Sequence, residues 1–110
     1  MVLLDTVFDL LSNERRRFTL YYLKEQDGPV SVDELVATIA EWEDNPPRDF
    51  AEDGLERLEI TLEHQHLPKS AEVDFIEYRP EEGIIQTKGI PPEVGALVTL
   101  ARIIEQPAND

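Results

Sequence analysis

The chain of 110 residues contains no cysteine. It can therefore form neither a disulfide nor a thiolate–metal site, and thiol catalysis is excluded. This absence fits the cytoplasm, where we expect the protein to act. Basic residues are scarce as well, because ten Lys and Arg face 24 Asp and Glu, which leaves a formal net charge of −14. A surface of that sign repels a phosphate backbone in ordinary salt.

Long apolar segments are missing too. The opening segment, MVLLDTVFDLL, has no basic flank and carries Asp5 and Asp9 within its apolar run. We therefore expect neither a signal peptide nor a membrane-spanning helix, and no contact with a membrane.

Catalytic and metal-binding signatures are also missing. The sequence has no GxSxG motif, no glycine-rich phosphate loop and no credible Ser/His/Asp arrangement. The two histidines, His64 and His66, are two residues apart, so on a helix they point about 200° from each other and cannot bind one metal ion together. We expect no enzyme activity, no cofactor and no metal site.

The acidic residues are spread along the whole chain and do not form one block. Such acidity suits either a protein that never meets nucleic acid or one that stays hydrated in a very salty cell. We favour the second, because a dispersed distribution is typical of adaptation of a whole surface to a halophilic interior. At about 1 M salt the Debye length is only about 3 Å, so repulsion from DNA is largely screened.

A single domain, residues 1–110, is expected, and it begins with two amphipathic helices within residues 4–26. Ser12 can cap the second helix by accepting a backbone N–H. Three arginines, Arg15–Arg17, follow. They could bind phosphate, although we favour pairing with the many carboxylates while their stems cover apolar neighbours. Gly28 is suited to a left-handed cap at the end of this helix.

A third, supporting helix is expected over residues 31–42. It should begin with a capping box, Ser31–Glu34, in which each of the two end residues bonds the backbone N–H of the other. Val30 before it should be extended. The next segment, 43–53, is polar and longer than the three or four residues of a standard helix-turn-helix. It is either a tolerated surface loop, which we favour, or a loop that reaches a partner or DNA through Arg48.

A fourth helix is expected over residues 54–67, with a break at Pro68. Leu55, Leu58 and Leu62 recur at spacings of three and four, which predicts one buried stripe. We expect His66 to lie on the core side as a hydrogen-bonded structural histidine. The polar side chains that should face solvent are here called the reading flank: Arg57, Thr61, His64 and Gln65.

Residues 75–88 should form a β-hairpin that turns at Gly83, because two β-rich runs flank a polar turn. The last helix, residues 91–105, is apolar on more than one face. One face can pack on the first helices, and we expect a second copy of the chain to cover the other. The predicted fold class is mainly α with a small antiparallel β-hairpin, arranged as a winged helix-turn-helix.

Three short motifs occur in order: Leu11-Ser12-Asn13-Glu14-Arg15-Arg16-Arg17, then Val30-Ser31-Val32-Asp33-Glu34-Leu35, then His66-Leu67 ahead of Phe75-Ile76-Glu77-Tyr78. This order resembles the winged helix-turn-helix regulators of the arsenical-repressor type. With His66-Leu67-Pro68-Lys69 it resembles more closely a group of small acidic haloarchaeal proteins of unknown individual function, regarded as transcription regulators. The resemblance implies a homodimer that binds DNA. The cysteines with which arsenical repressors sense metals are missing, so metal sensing is not implied.

Our leading hypothesis is therefore a homodimeric regulator of transcription that binds double-stranded DNA. The reading flank would meet base edges in the major groove, and three further cations would contact phosphates: Lys69, Arg79 and Lys88. The alternative is a winged helix that serves only as a protein-interaction module. Three glutamates on the same helix favour that alternative: Glu56, Glu59 and Glu63.

Overall fold

A computed structural model describes residues 4–26, 28–43 and 52–107 of the chain. The described residues form a mainly helical α+β fold with a small antiparallel sheet. The elements are α1 (Leu4–Leu11), α2 (Glu14–Glu25), β1 (Val30–Ser31), α3 (Val32–Trp42), α4 (Glu52–Thr61), a π-helical turn (Leu62–His66), α5 (Leu67–Ser70), β2 (Ile76–Arg79), β3 (Ile84–Thr87) and α6 (Pro92–Glu105). None of the described helices has the length and apolar character needed to cross a membrane.

The two N-terminal helices lie where the sequence predicts them, but the prediction that Ser12 caps α2 is wrong. The side chain of Asn13 accepts hydrogen bonds from the first backbone N–H groups of α2 instead, while the Ser12 hydroxyl donates to the Asp9 carbonyl at 2.7 Å. The cap must directly precede the helix to reach those groups. At the other end α2 stops at an extended Gln26, so the left-handed cap expected at Gly28 is not used.

The third helix begins with half of the predicted capping box. The Ser31 hydroxyl accepts the Glu34 N–H at 3.0 Å, as expected. The Glu34 carboxylate, in contrast, accepts a hydrogen bond from the Tyr22 hydroxyl of α2, so it joins two helices. The helix ends at Trp42. Most of the 43–53 segment, with Arg48, lies outside the described residues.

The fourth helix is longer than the predicted range of residues 54–67, because helical structure runs from Glu52 to Ser70. Pro68 lies inside this run, so the break expected there is wrong. Leu58 and Leu62 are buried, while Leu55 is 37% exposed, so the apolar stripe is shorter than the leucine spacing indicated.

The predicted hairpin of residues 75–88 forms with an antiparallel register in which Tyr78 faces Ile85. The turn uses Gly83 at φ +65°, a conformation that glycine adopts without the penalty other residues pay. The sheet is larger than a hairpin, since β1 pairs with β3 and the strand order is β1-β3-β2. Val30 is extended as expected, but its pairing with Ile85 was not predicted.

The core lies between the helices and one face of this sheet. Its largest fully buried side chains come from every layer of the fold: Phe18, Tyr21, Leu35, Ile39, Leu58, Leu62, Leu67, Ile85 and Val98. The last helix buries Val94 and Val98. It leaves Leu100 and Ile104 54% and 76% exposed, which confirms that it is apolar on a second face.

We expect Leu62→Ala to lower the free energy of unfolding by about 2–5 kcal/mol, because it removes a fully buried side chain from close-packed neighbours. Leu55→Ala on the same helical run is the matched control and should cost less than about 1 kcal/mol, since Leu55 is partly hydrated in the folded chain. Chemical denaturation in concentrated potassium chloride measures both. Equal losses would contradict the burial assigned to this helix.

Candidate nucleic-acid interface

The reading flank faces away from the core, as predicted. Arg57, His64 and Gln65 are exposed, and Thr61 is half-buried. The Thr61 hydroxyl donates its hydrogen to the Arg57 carbonyl at 2.9 Å. Towards a ligand the hydroxyl oxygen can therefore act only as a hydrogen-bond acceptor. Arg57 forms no ion pair with any residue that the structure describes. The flank therefore offers one unpaired guanidinium beside three polar side chains.

The second half of the flank lies in the π-helical turn. The Leu67 N–H donates to the Leu62 carbonyl five residues earlier, one residue more than in an α-helix. Pro68 follows directly, and its ring would clash with the carbonyl of His64 in a regular helix. The wider turn relieves that clash and explains why the helix continues through the proline. Gln65 and His64 thus project from a turn that is wider than the rest of the helix.

An acidic strip runs along the surface of α4 into the π-helical turn and is formed by Leu55, Glu56, Glu59, Ile60 and Glu63. Ile60 is 49% exposed, so the strip combines apolar and negatively charged groups. Partial burial, together with the charges of Glu63, Asp33 and Glu56, raises the pKa of Glu59. Its carboxylate therefore sits where further negative charge, such as a phosphate, is disfavoured.

Each of the three cations expected to contact phosphate is paired with a carboxylate. Lys69 Nζ lies 2.9 Å from Asp9 Oδ2 and 3.4 Å from Glu72 Oε1. On the hairpin, Arg79 and Lys88 share one carboxylate, that of Glu77, at 2.8 Å and 3.6 Å. The hydrogen bond that Lys69 donates to Asp9 raises the pKa of Lys69, and the one that Arg79 donates to Glu77 raises the pKa of Arg79. Lys88 is exposed and the other two cations are half-buried, and the charge of all three is locally neutralised.

The other histidine, His66, is buried at the end of the π turn, as expected. Its Nδ1 lies 3.5 Å from Nη1 of Arg16. Burial first, and then the nearby charges of Arg16 and Arg15, lower the pKa of His66, so the neutral imidazole is favoured. Arg16 also donates to the backbone carbonyls of Asp9 and Leu10 at 2.9 and 3.1 Å. It thereby fastens the end of α1 to the end of the reading flank.

The remaining two arginines of the triplet form ion pairs across the fold, as the pairing interpretation predicted. Arg15 binds the carboxylate of Glu43 at 2.7 Å, at the end of α3. Arg17 donates two hydrogen bonds, both of 2.9 Å, to the carboxylate of Glu105 at the end of α6. The triplet is therefore structural within the part of the chain that is described, and not a phosphate site.

Glu105 also accepts a hydrogen bond of 2.8 Å from the buried Tyr21 hydroxyl. The hydrogen bond from Arg17 lowers the pKa of Glu105 against the opposing effect of burial. Burial and the negative Glu105 together raise the pKa of Tyr21. The cluster thus holds an ionised carboxylate between a guanidinium and a neutral phenol.

No cluster of three or more His, Asp or Glu side chains within 4–26, 28–43 and 52–107 is arranged to hold a metal ion.

A comparison with protein families matches residues 8–86, most of the chain, to a domain of unknown function, DUF7344. The chain belongs to the DUF7344 family. Neither a curated protein nor a solved structure matches it. The DUF7344 region contains the arginine triplet, the reading flank and nearly all of the sheet. It ends before Lys88 and α6, so Glu105 lies outside the matched residues.

Sequence reasoning missed Glu43 and Glu105 as the partners of the arginine triplet. Glu43 lies 28 residues from Arg15, and Glu105 lies 88 residues from Arg17. In so acidic a chain the charge pattern does not single out either one. The only local signal is that the apolar helix α6 contains just two acidic residues, Glu93 and Glu105. That signal does not identify the arginine that Glu105 binds.

We expect Glu105→Gln to lower the free energy of unfolding by about 1–3 kcal/mol at neutral pH, because it weakens charge-assisted hydrogen bonds. Arg17 holds the folded pKa of Glu105 below its ordinary value of 4.5, so on acidification the unfolded chain is protonated first. The stabilisation is full above that ordinary value and disappears as pH falls through the folded pKa.

Denaturation at a series of pH values measures this difference. Glu41→Gln, which changes an exposed glutamate of α3, is the matched control and should leave stability nearly unchanged. A Glu105→Gln defect of the same size at neutral and strongly acidic pH would contradict the assigned ion pair.

Proposed function

We propose that this DUF7344 chain regulates transcription by binding double-stranded DNA as a winged-helix homodimer. The observation that carries the proposal is the order of elements: helix α2, strand β1, helix α3, the helical run from α4 to α5, then the hairpin of β2 and β3. A winged helix uses this order, with the third helix entering the major groove and the hairpin beside it. The pairing of β1 with β3 supports it further.

The reading flank is the surface we assign to base recognition. The Arg57 guanidinium can donate to base edges, and the Gln65 amide can both donate and accept; both side chains are exposed on the helical run. Leu58 and Leu62 hold the other side of this run in the core. A rigid helix with one buried side presents its polar side chains in a fixed arrangement, as direct readout requires.

The cations near this flank are assigned to the phosphate backbone. Lys69, Arg79 and Lys88 now bind carboxylates, but these are exposed ion pairs, which contribute little to stability. Exchange of a carboxylate for a phosphate oxygen therefore costs little. Concentrated salt removes most of the repulsion between the acidic chain and DNA, and also most of the gain from counterion release. Short-range hydrogen bonds of the reading flank must then provide most of the affinity.

The dimer is assigned to an apolar patch on α1 and α6, formed by Leu4, Phe8, Leu100 and Ile104. All four side chains are more than half exposed, and a contiguous apolar surface of this kind marks a protein–protein contact. Arg17 brings the ends of the two helices together, because it donates to the Leu11 carbonyl at 2.7 Å and binds Glu105. The same patch on a second copy would cover it in a two-fold arrangement.

A second candidate function is a protein-interaction module that does not bind DNA. The acidic strip favours it, because Leu55 and Ile60 lie exposed among three glutamates. A partner segment with lysines or arginines around an apolar residue would fit that surface. DNA binding in concentrated salt distinguishes the two candidates.

We expect the wild-type chain to prefer particular duplex sequences in potassium chloride at about 1 M, where repulsion is screened. The double variant Arg57→Ala with Gln65→Ala should lose that preference and remain folded, since both side chains are exposed. Each lost base contact is worth about 1–3 kcal/mol of discrimination. Selection from a random duplex pool, followed by titration of the selected sequence, measures the preference.

Lys24→Ala, which removes an exposed cation of α2, is the control and should leave the preference intact. If the wild-type chain shows no preference at any salt concentration, DNA recognition is wrong and the protein-interaction candidate takes its place. If the double variant retains full preference, the reading flank has been assigned to the wrong residues.

We expect Ile104→Glu to convert the dimer to a monomer, because it places a charge at the centre of an apolar interface. Ile60→Glu is the matched control. It makes the same change at an exposed isoleucine of α4, outside the patch, and should leave the dimer intact. Analytical ultracentrifugation in concentrated potassium chloride measures the mass. A monomeric wild-type chain, or equal dissociation by both variants, would rule out this interface.

A further inference from the structure

A groove runs between α2 and α6 and adjoins the apolar patch on α6. Its volume is about 390 Å³, which is within the range of sites that hold small molecules. The lining residues come from both helices: Tyr21, Lys24, Glu25, Val98, Thr99, Arg102 and Ile103. Neither the proposed DNA contacts nor the proposed dimer uses this groove.

The groove has an apolar part and a polar edge. Tyr21 and Val98 are buried beneath it, and Ile103 is 61% exposed along one wall. Lys24 reaches across to α6, where its Cε would lie 3.6 Å from a Cβ placed on Gly95. The missing side chain at Gly95 leaves room for the lysine stem. An apolar surface therefore adjoins an ammonium group within one cleft.

The charges of the other two ionisable lining residues largely cancel. Arg102 Nη1 lies 2.5 Å from the carboxylate of Glu25, and the Arg102 guanidinium also lies 5.2 Å from the centre of the Trp42 ring. Lys24 forms no ion pair with any residue in the described ranges. The lining residues thus carry a net charge of +1 (Lys24 and Arg102 against Glu25) in a chain whose net charge is −14.

We propose that this groove binds a small organic monoanion, a carboxylate that carries an aliphatic chain. The carboxylate would accept hydrogen bonds from the Lys24 ammonium and the Thr99 hydroxyl, and the chain would lie over Val98 and Ile103. A single unpaired ammonium matches one negative charge, whereas a dianion would meet the field of the surrounding acidic surface. A cation would meet the uncompensated ammonium of Lys24, and a neutral molecule would leave it unused.

A second copy of the chain is a less suitable occupant. With about 100° between consecutive helical residues, Thr99 lies about 140° around α6 from Ile104. Ile103 lies about 60° from Leu100, so the groove borders the face assigned to the dimer, and its end at Lys24 and Thr99 is the part turned away from that face. The site also stands independently of DNA binding, since it shares no residue with the reading flank.

Octanoate is a suitable probe, with octanol as its uncharged counterpart of equal chain length. We expect saturable binding of octanoate to the full chain, followed by NMR, with the largest shifts at Thr99 and Ile103. Lys24→Gln should weaken octanoate binding about fivefold or more through loss of the charged contact. Thr99→Trp should abolish it by filling the groove. Lys88→Gln, which removes an exposed cation of the hairpin, should leave the affinity unchanged.

Denaturation of each variant shows whether it is folded. If Thr99→Trp does not fold, the octanoate affinity of Lys24→Gln tests the proposal instead. The proposal is overturned if octanoate does not bind saturably, or if octanol binds as tightly. It is equally overturned if Lys88→Gln weakens binding as much as Lys24→Gln, or if the shifts centre on Leu100 and Ile104. Because Lys24 is the control position in the DNA assay and the tested position here, loss of DNA recognition and loss of octanoate binding can be told apart.

Discussion

The fold depends on three consecutive arginines that each extend from α2 to a different part of the chain. Successive residues of a helix point about 100° apart, so a run of three spreads over most of its circumference. Arg15 therefore meets the end of α3, Arg16 meets the end of α1 and the buried His66, and Arg17 meets the end of α6. Helix α2 is thereby held at the centre of the domain by directional polar contacts as well as by apolar packing.

These contacts also change how the acidity of the chain should be understood. Most cations described in the structure serve internal pairs, and the excess of carboxylates remains on the surface. Arg57 and Lys24 differ, since the side chain of neither forms an ion pair or a hydrogen bond with a described residue. These are the two cations for which we propose external anions. One of the two lies on the reading flank and the other in the α2–α6 groove.

Local patterns in the sequence were enough to predict the features that local physics determines. The Ser31 cap, the hairpin that turns at Gly83 and the burial of Leu58 and Leu62 follow from turn chemistry and periodicity. The winged-helix interpretation and its DNA contacts stay predictions. Whether Asn13 or Ser12 caps α2 depends on the exact residue at which the helix begins. Sequence patterns define the first residue of a helix poorly.

Features that depend on distant residues could not be read from the sequence. The pairing of β1 with β3 brings Val30 opposite Ile85, and the Arg17–Glu105 ion pair joins residues 88 positions apart. Many carboxylates were equally suitable partners by charge alone, so only the packing of α6 against α2 selects Glu105. The continuation of the helix through Pro68 likewise depended on a π turn that no spacing of residues indicates.

That π turn also sets the angle about the helix axis between the side chains of α4 and the β-hairpin. A π turn contains one residue more than an α turn, so Leu62–His66 acts as an insertion absorbed without breaking the helix. Closing it to ordinary α geometry would rotate everything beyond it by about 100° about the helix axis relative to α4. The angular offset between the side chains of α4 and the β-hairpin is therefore encoded in a single surplus residue.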